Sequence, residues 1–244
     1  MKQVTLVAIE DYIQTLAACE TSNDVWEACV ALFNKHGFDK ASYHVMPLAW
    51  ETSDNALSIK MSGFPDAWVK HYMDNKLWQI DPIATTALHV SLPFCWSNLP
   101  DMRKLSEVEQ KFLDELSARV DGDGFAVQVF GPNGRNGYFG LGLHMECDDK
   151  NRRDLRVVQW ACQLTHHRHC ELEAAHAAPL SRREQEVLSW VARGKSNSSI
   201  ADILSISSYT VDAYMRRIYQ KLGVNDRVSA AIQGLGSGLI KSAA

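Results

Sequence analysis

Residues 180–224, LSRREQEVLSWVARGKSNSSIADILSISSYTVDAYMRRIYQKLGV, decide the fold of the carboxy-terminal part of the chain. The first helix begins at a capping box, because Ser181 is followed three residues later by Glu184 and the two side chains satisfy each other's backbone donors. Apolar residues then recur at helical spacing. Gly194 ends the helix, since glycine takes the left-handed conformation without strain.

Three further short helices follow, each with its own start signal. The predicted caps are Ser196 or Asn197 for the second helix, Ser207 or Ser208 for the third and Asn225 for the fourth, and Gly223 ends the third. Helices so short and so closely spaced predict an all-α, four-helix domain with a helix-turn-helix unit.

The third of these helices is the predicted DNA-reading element. Val211, Met215, Ile218 and Leu222 recur at helical spacing, so they face inward. On the other faces, short polar groups and arginine can meet base edges in a major groove, and lysine can meet phosphate. The predicted DNA-binding residues are Ser208, Thr210, Asp212, Ala213, Arg216, Arg217, Lys221 and Lys195.

The charge distribution agrees with this assignment. Residues 180–244 hold nine Lys and Arg against five Asp and Glu, a net charge of +4, whereas the preceding residues hold 16 against 24, a net of −8. Many small helical domains are mildly basic, so the helix caps carry more weight than this asymmetry.

These residues resemble the LuxR-type helix-turn-helix of transcriptional regulators. The family pattern Leu-Ser/Thr-x-Arg-Glu-x-Glu-Val-Leu, Gly-Lys, Ile-Ala, Thr-Val and Lys-Leu-Gly-Val is nearly complete here. One departure is Tyr214, where many members have histidine. It leaves the operator sequence open and does not affect the expected fold.

Length and composition indicate a sensory domain followed by a small effector domain. A chain of 244 residues can bury a core in each. It has no apolar run near the ~18 residues that cross a bilayer, and its amino terminus lacks the pattern of a signal peptide. We therefore expect a cytoplasmic protein with no membrane partner. Six cysteines without a Cys-x-x-Cys pair predict reduced thiols.

The upstream part of the chain mixes helices and strands. Helices are expected at 2–18, from Ser22 to Gly37, from Pro65, from Asp81-Pro82, from the capping box of Ser106 and Glu109, and from Asp148 or Asp149 to about Ala175; strands are expected at 41–45, 57–61, 125–130 and 138–144. Hairpins outnumber crossovers, so the fold class is α+β: an α-β-α sandwich with an antiparallel sheet, then the all-α domain. The predicted domains are a sensor at 1–173, a linker at 174–179 and a DNA-binding domain at 180–244.

Four side chains of the sensor domain stand out as a ligand-binding set. Trp68 and Tyr72 lie four residues apart on one predicted helix and share a face, Asp81 follows, and Trp96 comes after a further helix. In an apolar cavity they offer an indole donor, a phenol donor, a carboxylate acceptor and a flat ring. Core packing explains each residue taken alone, and Asp81 before Pro82 is an ordinary helix start.

As a set, these residues resemble the autoinducer-binding domain of quorum-sensing LuxR-type regulators. The pattern is Trp68-x-x-x-Tyr72, Asp81-Pro82, Trp96, then Gly124 ahead of a hairpin, all upstream of the matching DNA-binding domain. The resemblance implies an N-acyl homoserine lactone ligand. Trp68 would donate to the lactone carbonyl, Tyr72 would donate to the acyl carbonyl, Asp81 would accept from the amide N–H, and Trp96 would pack beside the ring. The predicted ligand-binding residues are Trp68, Tyr72, Asp81, Pro82, Trp96, Phe64, Gly124 and Gly142.

Departures from the family pattern fall near the expected acyl tail. Gln128 stands where proline is common, Val120 where glycine is frequent, and Gly140 and Gly142 where a hydroxyl often lies. Phe64 also lacks a hydroxyl that some members have. The head-group contacts therefore match the family, whereas the tail pocket does not, and the tail length stays open.

The expected assembly is a homodimer that binds double-stranded DNA at an inverted repeat. The resemblance allows RNA polymerase as a further partner and implies no cofactor beyond the signal ligand. Cys162, His166, His167, His169, Cys170 and His176 fall on one helix, where we expect a polar or subunit-facing surface and no metal site.

Two alternative functions remain open. One is a LuxR-type regulator whose sensor takes another small amphiphile or acts without ligand. The other is a hydrolase using Cys95 or a histidine, which is disfavoured because the sequence has no nucleophile elbow, metal motif or phosphate loop.

Overall fold

The computed structural model describes residues 2–46, 58–132, 135–143, 149–175 and 180–240. The chain forms two compact units: a sensor unit that extends to Leu172, and a DNA-binding unit formed mainly by Glu173–Ala244. Most of the linker predicted at 174–179 lies outside the described residues, so its bounds stay a prediction. Within the described ranges, no helix is both long enough and apolar enough to cross a membrane.

The predicted helices and strands of the sensor unit are present, with small shifts at their ends. They are α1 Lys2–Ala18, α2 Ser22–Lys35, β1 Lys40–Val45, β2 Ser58–Ser62, α3 Asp66–Asp74, α4 Pro82–Ala87, β3 Phe94–Cys95, α5 Leu99–Met102, α6 Glu107–Arg119, β4 Asp123–Phe130, β5 Asn136–Leu143 and α7 Asp149–Ala175. The two-residue strand β3 and the four-residue helix α5 were not predicted. Residue 57 of a predicted strand and residues 133, 134 and 144 of the predicted hairpin lie outside the described part of the chain.

The five strands form one antiparallel sheet in the order β2-β1-β5-β4-β3. Central strand β5 pairs Tyr138 with His44 of β1 on one side and with Gln128 of β4 on the other. Because side chains alternate along a strand, Phe139 points to the opposite face from Tyr138. The register therefore decides which side chains share a face with the cavity described below.

Helices cover both faces of the sheet, which confirms the α-β-α sandwich. On one face α1, α2 and α7 pack around buried residues such as Phe33, Phe139 and Val158. On the other face α3, α4 and α6 pack around Trp68 and Phe112. The second face is the one that holds the predicted ligand residues.

The DNA-binding unit contains α8 Arg182–Ala192, α9 Asn197–Leu204, α10 Ser208–Leu222 and α11 Arg227–Gly236. The side chains of Ser181, Ser196 and Ser207 cap the first three. Ser181 was the predicted cap, and Ser196 and Ser207 are each one of the two candidates predicted for their helix. The cap of α11 is Asp226, which accepts hydrogen bonds from two backbone N–H groups, so the prediction of Asn225 was wrong by one residue. The four-helix domain itself is confirmed.

Two histidines of α7, His166 and His169, are hydrogen-bonded to other parts of the protein. His166 Nδ1 lies 2.7 Å from the Tyr43 hydroxyl, and its Nε2 lies 2.9 Å from a backbone carbonyl oxygen. His169 Nδ1 lies 2.6 Å from Ser22 Oγ at the start of α2. No three metal-binding side chains cluster within the described residues, which do not include His176. These histidines tie α7 to the sheet and to α2.

Candidate ligand cavity and nucleic-acid interface

A cavity in the sensor unit brings most of the predicted ligand residues together. It lies between the sheet and helices α3, α4 and α6. Its walls are largely aromatic and aliphatic, with few polar groups: Ser42, His44, Met61, Phe64, Trp68, Tyr72, Asp81, Ile83, Trp96, Phe112, Leu116, Tyr138 and Gly140. An apolar cavity with a few convergent polar groups is the usual form of a small-molecule site.

Local helix structure positions the polar end of this cavity. Trp68 and Tyr72 are one turn apart on α3, both are buried, and their ring centroids are 6.0 Å apart. Asp81 is the N-cap of α4, and Pro82 at the first helical position sets the backbone for the helix start. The Asp81 carboxylate therefore caps α4 and also lines the cavity.

The Asp81 carboxylate accepts four hydrogen bonds. Oδ1 accepts from the backbone N–H groups of Ile83 at 2.8 Å and Ala84 at 3.3 Å. Oδ2 accepts from the hydroxyls of Tyr72 at 2.9 Å and Tyr138 at 3.2 Å. A carboxylate has about four lone-pair sites, so an additional donor must replace one of these four.

Burial and close contact shift the pKa values of this group. Desolvation raises the pKa of the Asp81 carboxyl above its ordinary value, and its hydrogen bonds offset only part of that shift. Burial, followed by the negative charge of Asp81, raises the pKa of both Tyr72 and Tyr138. The two phenols consequently stay protonated and remain donors at neutral pH.

The Trp96 ring packs on the sheet at positions where glycines leave room for it. A Cβ on Gly124 would lie 2.6 Å from the Trp96 ring, and one on Gly140 would lie 3.4 Å from it. Trp96 is 7% exposed, and its indole N–H has no hydrogen-bond partner among the described residues. Gly124 therefore acts by making room for Trp96, which itself lines the cavity.

The structure separates the predicted ligand residues into two groups. Those that line the cavity are Phe64, Trp68, Tyr72, Asp81 and Trp96. Pro82, Gly124 and Gly142 lie outside its lining. A Cβ on Gly142 would meet the Lys40 side chain at 2.8 Å, so this glycine accommodates Lys40 and does not border the cavity.

Sequence reasoning missed two buried side chains of this site, His44 and Tyr138. Their rings stack with centroids 4.3 Å apart and an angle of 21° between the ring planes. Both line the cavity. The alternating pattern of the two strands places them on the cavity face, but only the strand register shows that they are neighbours.

We expect the chain to lose stability as the pH falls from 7 to 5. Burial lowers the pKa of His44 to about 3 and of His166 to about 4. Below the ordinary histidine pKa of about 6.5, the unfolded chain binds protons that the folded chain does not. Each of the two histidines should then remove about 2 kcal/mol at pH 5, which denaturant unfolding at both pH values measures. The variant His44→Gln should lose part of this dependence; an unchanged dependence would contradict a neutral His44.

In the DNA-binding unit, α10 presents a polar outer face. Val211, Met215 and Ile218 are buried against the other helices. Of the predicted contacts, Ser208, Asp212, Arg216, Arg217 and Lys221 are exposed, while Thr210 and Ala213 are half-buried. The guanidinium of Arg217 lies 5.0 Å from the centroid of the Tyr214 ring.

Two charged residues of this predicted interface already have protein partners. Lys221 Nζ lies 2.8 Å from the carboxylate of Glu184, which is 2% exposed. Asp212 accepts a hydrogen bond from Asn197. Both contacts hold α10 to the neighbouring helices. They favour a structural role for Lys221 over the phosphate contact that we predicted.

An exposed aromatic residue of α10 was missed. Tyr209 is 76% exposed, and it lies one turn before Ala213 and two turns before Arg216, on the same face. Lys195 is exposed in the turn before α9, where its backbone carbonyl accepts a hydrogen bond from Arg227. The outer face of α10 is thus centred on Tyr209, Ala213 and Arg216.

Two family models match the chain, in the order of the two units. The model described as "Autoinducer binding domain" matches residues 21–169. The model described as "Bacterial regulatory proteins, luxR family" matches residues 178–233. The first alone spans more than half of the chain.

Individual relatives match this chain over nearly the full length of both proteins. "Transcriptional activator protein AnoR" of Acinetobacter nosocomialis is 24% identical over 241 residues, covering 95% of this chain and 98% of AnoR. "Transcriptional activator protein BjaR1" of Bradyrhizobium diazoefficiens is 24% identical over 221 residues, covering 90% of each. Both relatives are described as regulators of transcription and not as enzymes.

Solved structures share the fold. Escherichia coli SdiA superposes with a TM-score of 0.76 at 20% identity, covering 96% of this chain and 98% of that one. SdiA in complex with octanoyl-rac-glycerol gives a TM-score of 0.73 at 17% identity, covering 96% of both chains. At such identities the similarity concerns the fold alone.

Proposed function

The chain belongs to the LuxR family of bacterial transcriptional regulators, with an autoinducer-binding domain ahead of the helix-turn-helix domain, and from this premise we propose that it binds an N-acyl homoserine lactone and, as a homodimer, an inverted-repeat operator. The observation that carries the proposal is the convergence of Trp68, Tyr72, Asp81 and Trp96 on one cavity. We assign the sensor domain to residues 1–173, the linker to 174–179 and the DNA-binding domain to 180–244.

The head group of such a lactone suits the polar end of the cavity. Its two carbonyl oxygens need donors, which the Trp68 indole and the Tyr72 hydroxyl supply, and its amide N–H needs an acceptor, which Asp81 supplies. Because Asp81 already accepts four hydrogen bonds, the amide must replace one phenol. Tyr72 is the phenol that gains a new partner, since its hydroxyl can turn from Asp81 to the acyl carbonyl.

The DNA-binding unit carries the second half of the proposal. Arg216 is the exposed arginine nearest the centre of the outer face of α10, where it can read a base edge. Two copies of α10 in a dimer would contact half-sites about one helical turn apart. RNA polymerase is a further partner that a promoter-bound regulator of this family can contact.

The dimer is supported by an aromatic surface on the sensor unit. Trp160 on α7 is 65% exposed and Phe130 at the end of β4 is 49% exposed. The two belong to one surface, because the Gln163 side chain one turn along α7 is hydrogen-bonded to the backbone of Phe130 at 3.1 and 2.6 Å. Exposed tryptophans of this kind are typical anchors of protein interfaces.

We expect Trp160→Glu to weaken self-association by about tenfold or more. The loss of a tryptophan that becomes buried in an interface costs about 2 kcal/mol or more of binding free energy. Analytical ultracentrifugation of the full chain measures the effect. Leu92→Glu is the matched control, since Leu92 is 77% exposed in the loop before β3. Equal dimerisation of the wild type and the Trp160 variant would remove this surface from the interface.

A different small amphiphile is the alternative ligand. It is motivated by the departures from the family pattern at Val120, Gln128 and Gly140, of which Gly140 lines the cavity. Thermal unfolding of the full chain separates the two alternatives in a screen of acyl homoserine lactones, ring-opened acyl homoserines and monoacylglycerols. A bound ligand raises the stability by about 2.7 kcal/mol at a hundredfold excess over its Kd. Stabilisation by monoacylglycerols and not by lactones would favour the alternative.

A further inference from the structure

We propose that the stacked pair His44 and Tyr138 is a wall that limits the length of the acyl tail, so that the receptor prefers lactones with a short or branched tail to those with a long straight one. This inference rests on the proposed lactone function, and it adds the class of ligand and the residues that select it.

The pair occupies the cavity face of the sheet. His44 on β1 and Tyr138 on β5 are directly paired across the two strands, and their rings stack nearly in parallel at 4.3 Å. On the same face of the sheet, the next pair towards the amino terminus of β1 consists of the small residues Ser42 and Gly140. On this face of the sheet, a pair of large aromatic side chains therefore lies next to a pair with little side-chain volume. An acyl tail can pass only over the second pair, Ser42 and Gly140.

The space above Ser42 and Gly140 is itself partly covered. A Cβ on Gly140 would lie 2.6 Å from Ser42 Oγ and 3.4 Å from the Trp96 ring. The Ser42 hydroxyl and Trp96 therefore bound the same space from two sides. A tail that leaves the polar end of the cavity meets the stacked pair on one side and Trp96 on the other.

Tyr138 is held in place at both ends. Its hydroxyl donates to Asp81 Oδ2 at 3.2 Å, and its ring stacks on His44, which also meets Tyr72 edge-on at 6.0 Å. Tyr138 and His44 are each 2% exposed. Moving Tyr138 aside would break a hydrogen bond to a buried carboxylate and undo a close-packed aromatic cluster, so a long tail cannot displace it readily.

The cavity is narrow. Its open volume is about 30 Å³, far below the roughly 300–1,000 Å³ that is typical of small-molecule sites. A ligand must therefore widen the cavity away from the stacked pair His44 and Tyr138, and a short or branched tail requires less widening than an extended one.

The test is a titration of the full-length chain with homoserine lactones of four, six, eight, ten and twelve straight acyl carbons and with a branched five-carbon tail. Isothermal calorimetry measures each Kd. We expect the four-carbon or branched ligand to bind at least about tenfold more tightly than the twelve-carbon one. In Tyr138→Ala and in His44→Ala, we expect this ratio to fall by about tenfold or more in favour of the long tails.

Phe139→Leu is the matched control, because Phe139 neighbours Tyr138 on β5 but packs in the core on the opposite face of the sheet. It should lower stability without changing the tail preference. Tighter binding of the twelve-carbon lactone by the wild type, or equal tail preference in wild type and both cavity variants, would overturn the inference while leaving the lactone function intact. Binding of no lactone at any length would overturn both.

Discussion

The variant Asp81→Asn should lose most of its affinity for the signal ligand. Asp81 is the acceptor that we assign to the ligand amide, and it is 4% exposed. An asparagine side chain keeps one oxygen for the α4 backbone, but it presents an N–H₂ group where Oδ2 now accepts from Tyr72 and Tyr138. Losing a charge-assisted hydrogen bond costs about 1.5–3 kcal/mol, which corresponds to a loss of affinity of roughly 10- to 150-fold.

Isothermal calorimetry with the best lactone measures this loss. Asp226→Asn is the matched control, because Asp226 also caps a helix by accepting two backbone N–H bonds, at 2.9 Å each, but belongs to the DNA-binding unit. It should bind ligand as the wild type does. If Asp81→Asn folds and binds the lactone with unchanged affinity, the assigned amide contact is wrong.

The second large effect is expected at the DNA interface, from Arg216→Ala. Arg216 is exposed on α10, and its outward face also holds Tyr209 and Ala213. Removing an arginine that reads a base should weaken operator binding by about 1–3 kcal/mol and relax specificity at one position of each half-site. Fluorescence anisotropy with an operator selected from a random inverted-repeat pool measures both quantities.

Arg182→Ala controls for a general loss of positive charge, because the side chain of Arg182 is 93% exposed on α8. Its effect should be small. A residue that contacts only phosphate would instead weaken binding to all sequences about equally and reduce the salt dependence. Arg216→Ala with unchanged operator affinity would exclude this arginine from the interface.

Local signals predicted the helices well. Ser106, Ser181 and Ser207 each cap the helix that follows, since the bonds involved span only three residues and can be read from the sequence. Where two neighbouring residues can both act as caps, as Asn225 and Asp226 can, the sequence does not show which of them does. The two-residue strand β3 escaped prediction because periodicity needs a longer run.

Contacts between distant residues could not be predicted in this way. Tyr138 meets Asp81 across 57 residues of sequence, and Lys221 meets Glu184 across 37. The resemblance to a family pointed to Asp81 but not to Tyr138, whose position beside His44 follows from the strand register of this chain. The same limit applies to Gly124, whose part in placing Trp96 follows only from the fold.

We propose that the ligand bound in the cavity controls how tightly the chain binds DNA. The direct test measures the lactone Kd with and without saturating operator, and the operator Kd with and without saturating lactone. Linkage requires the two ratios to be equal, and we expect a common ratio of at least about fivefold. Tight binding of both partners with ratios of one would contradict it, because ligand and DNA would then occupy independent units.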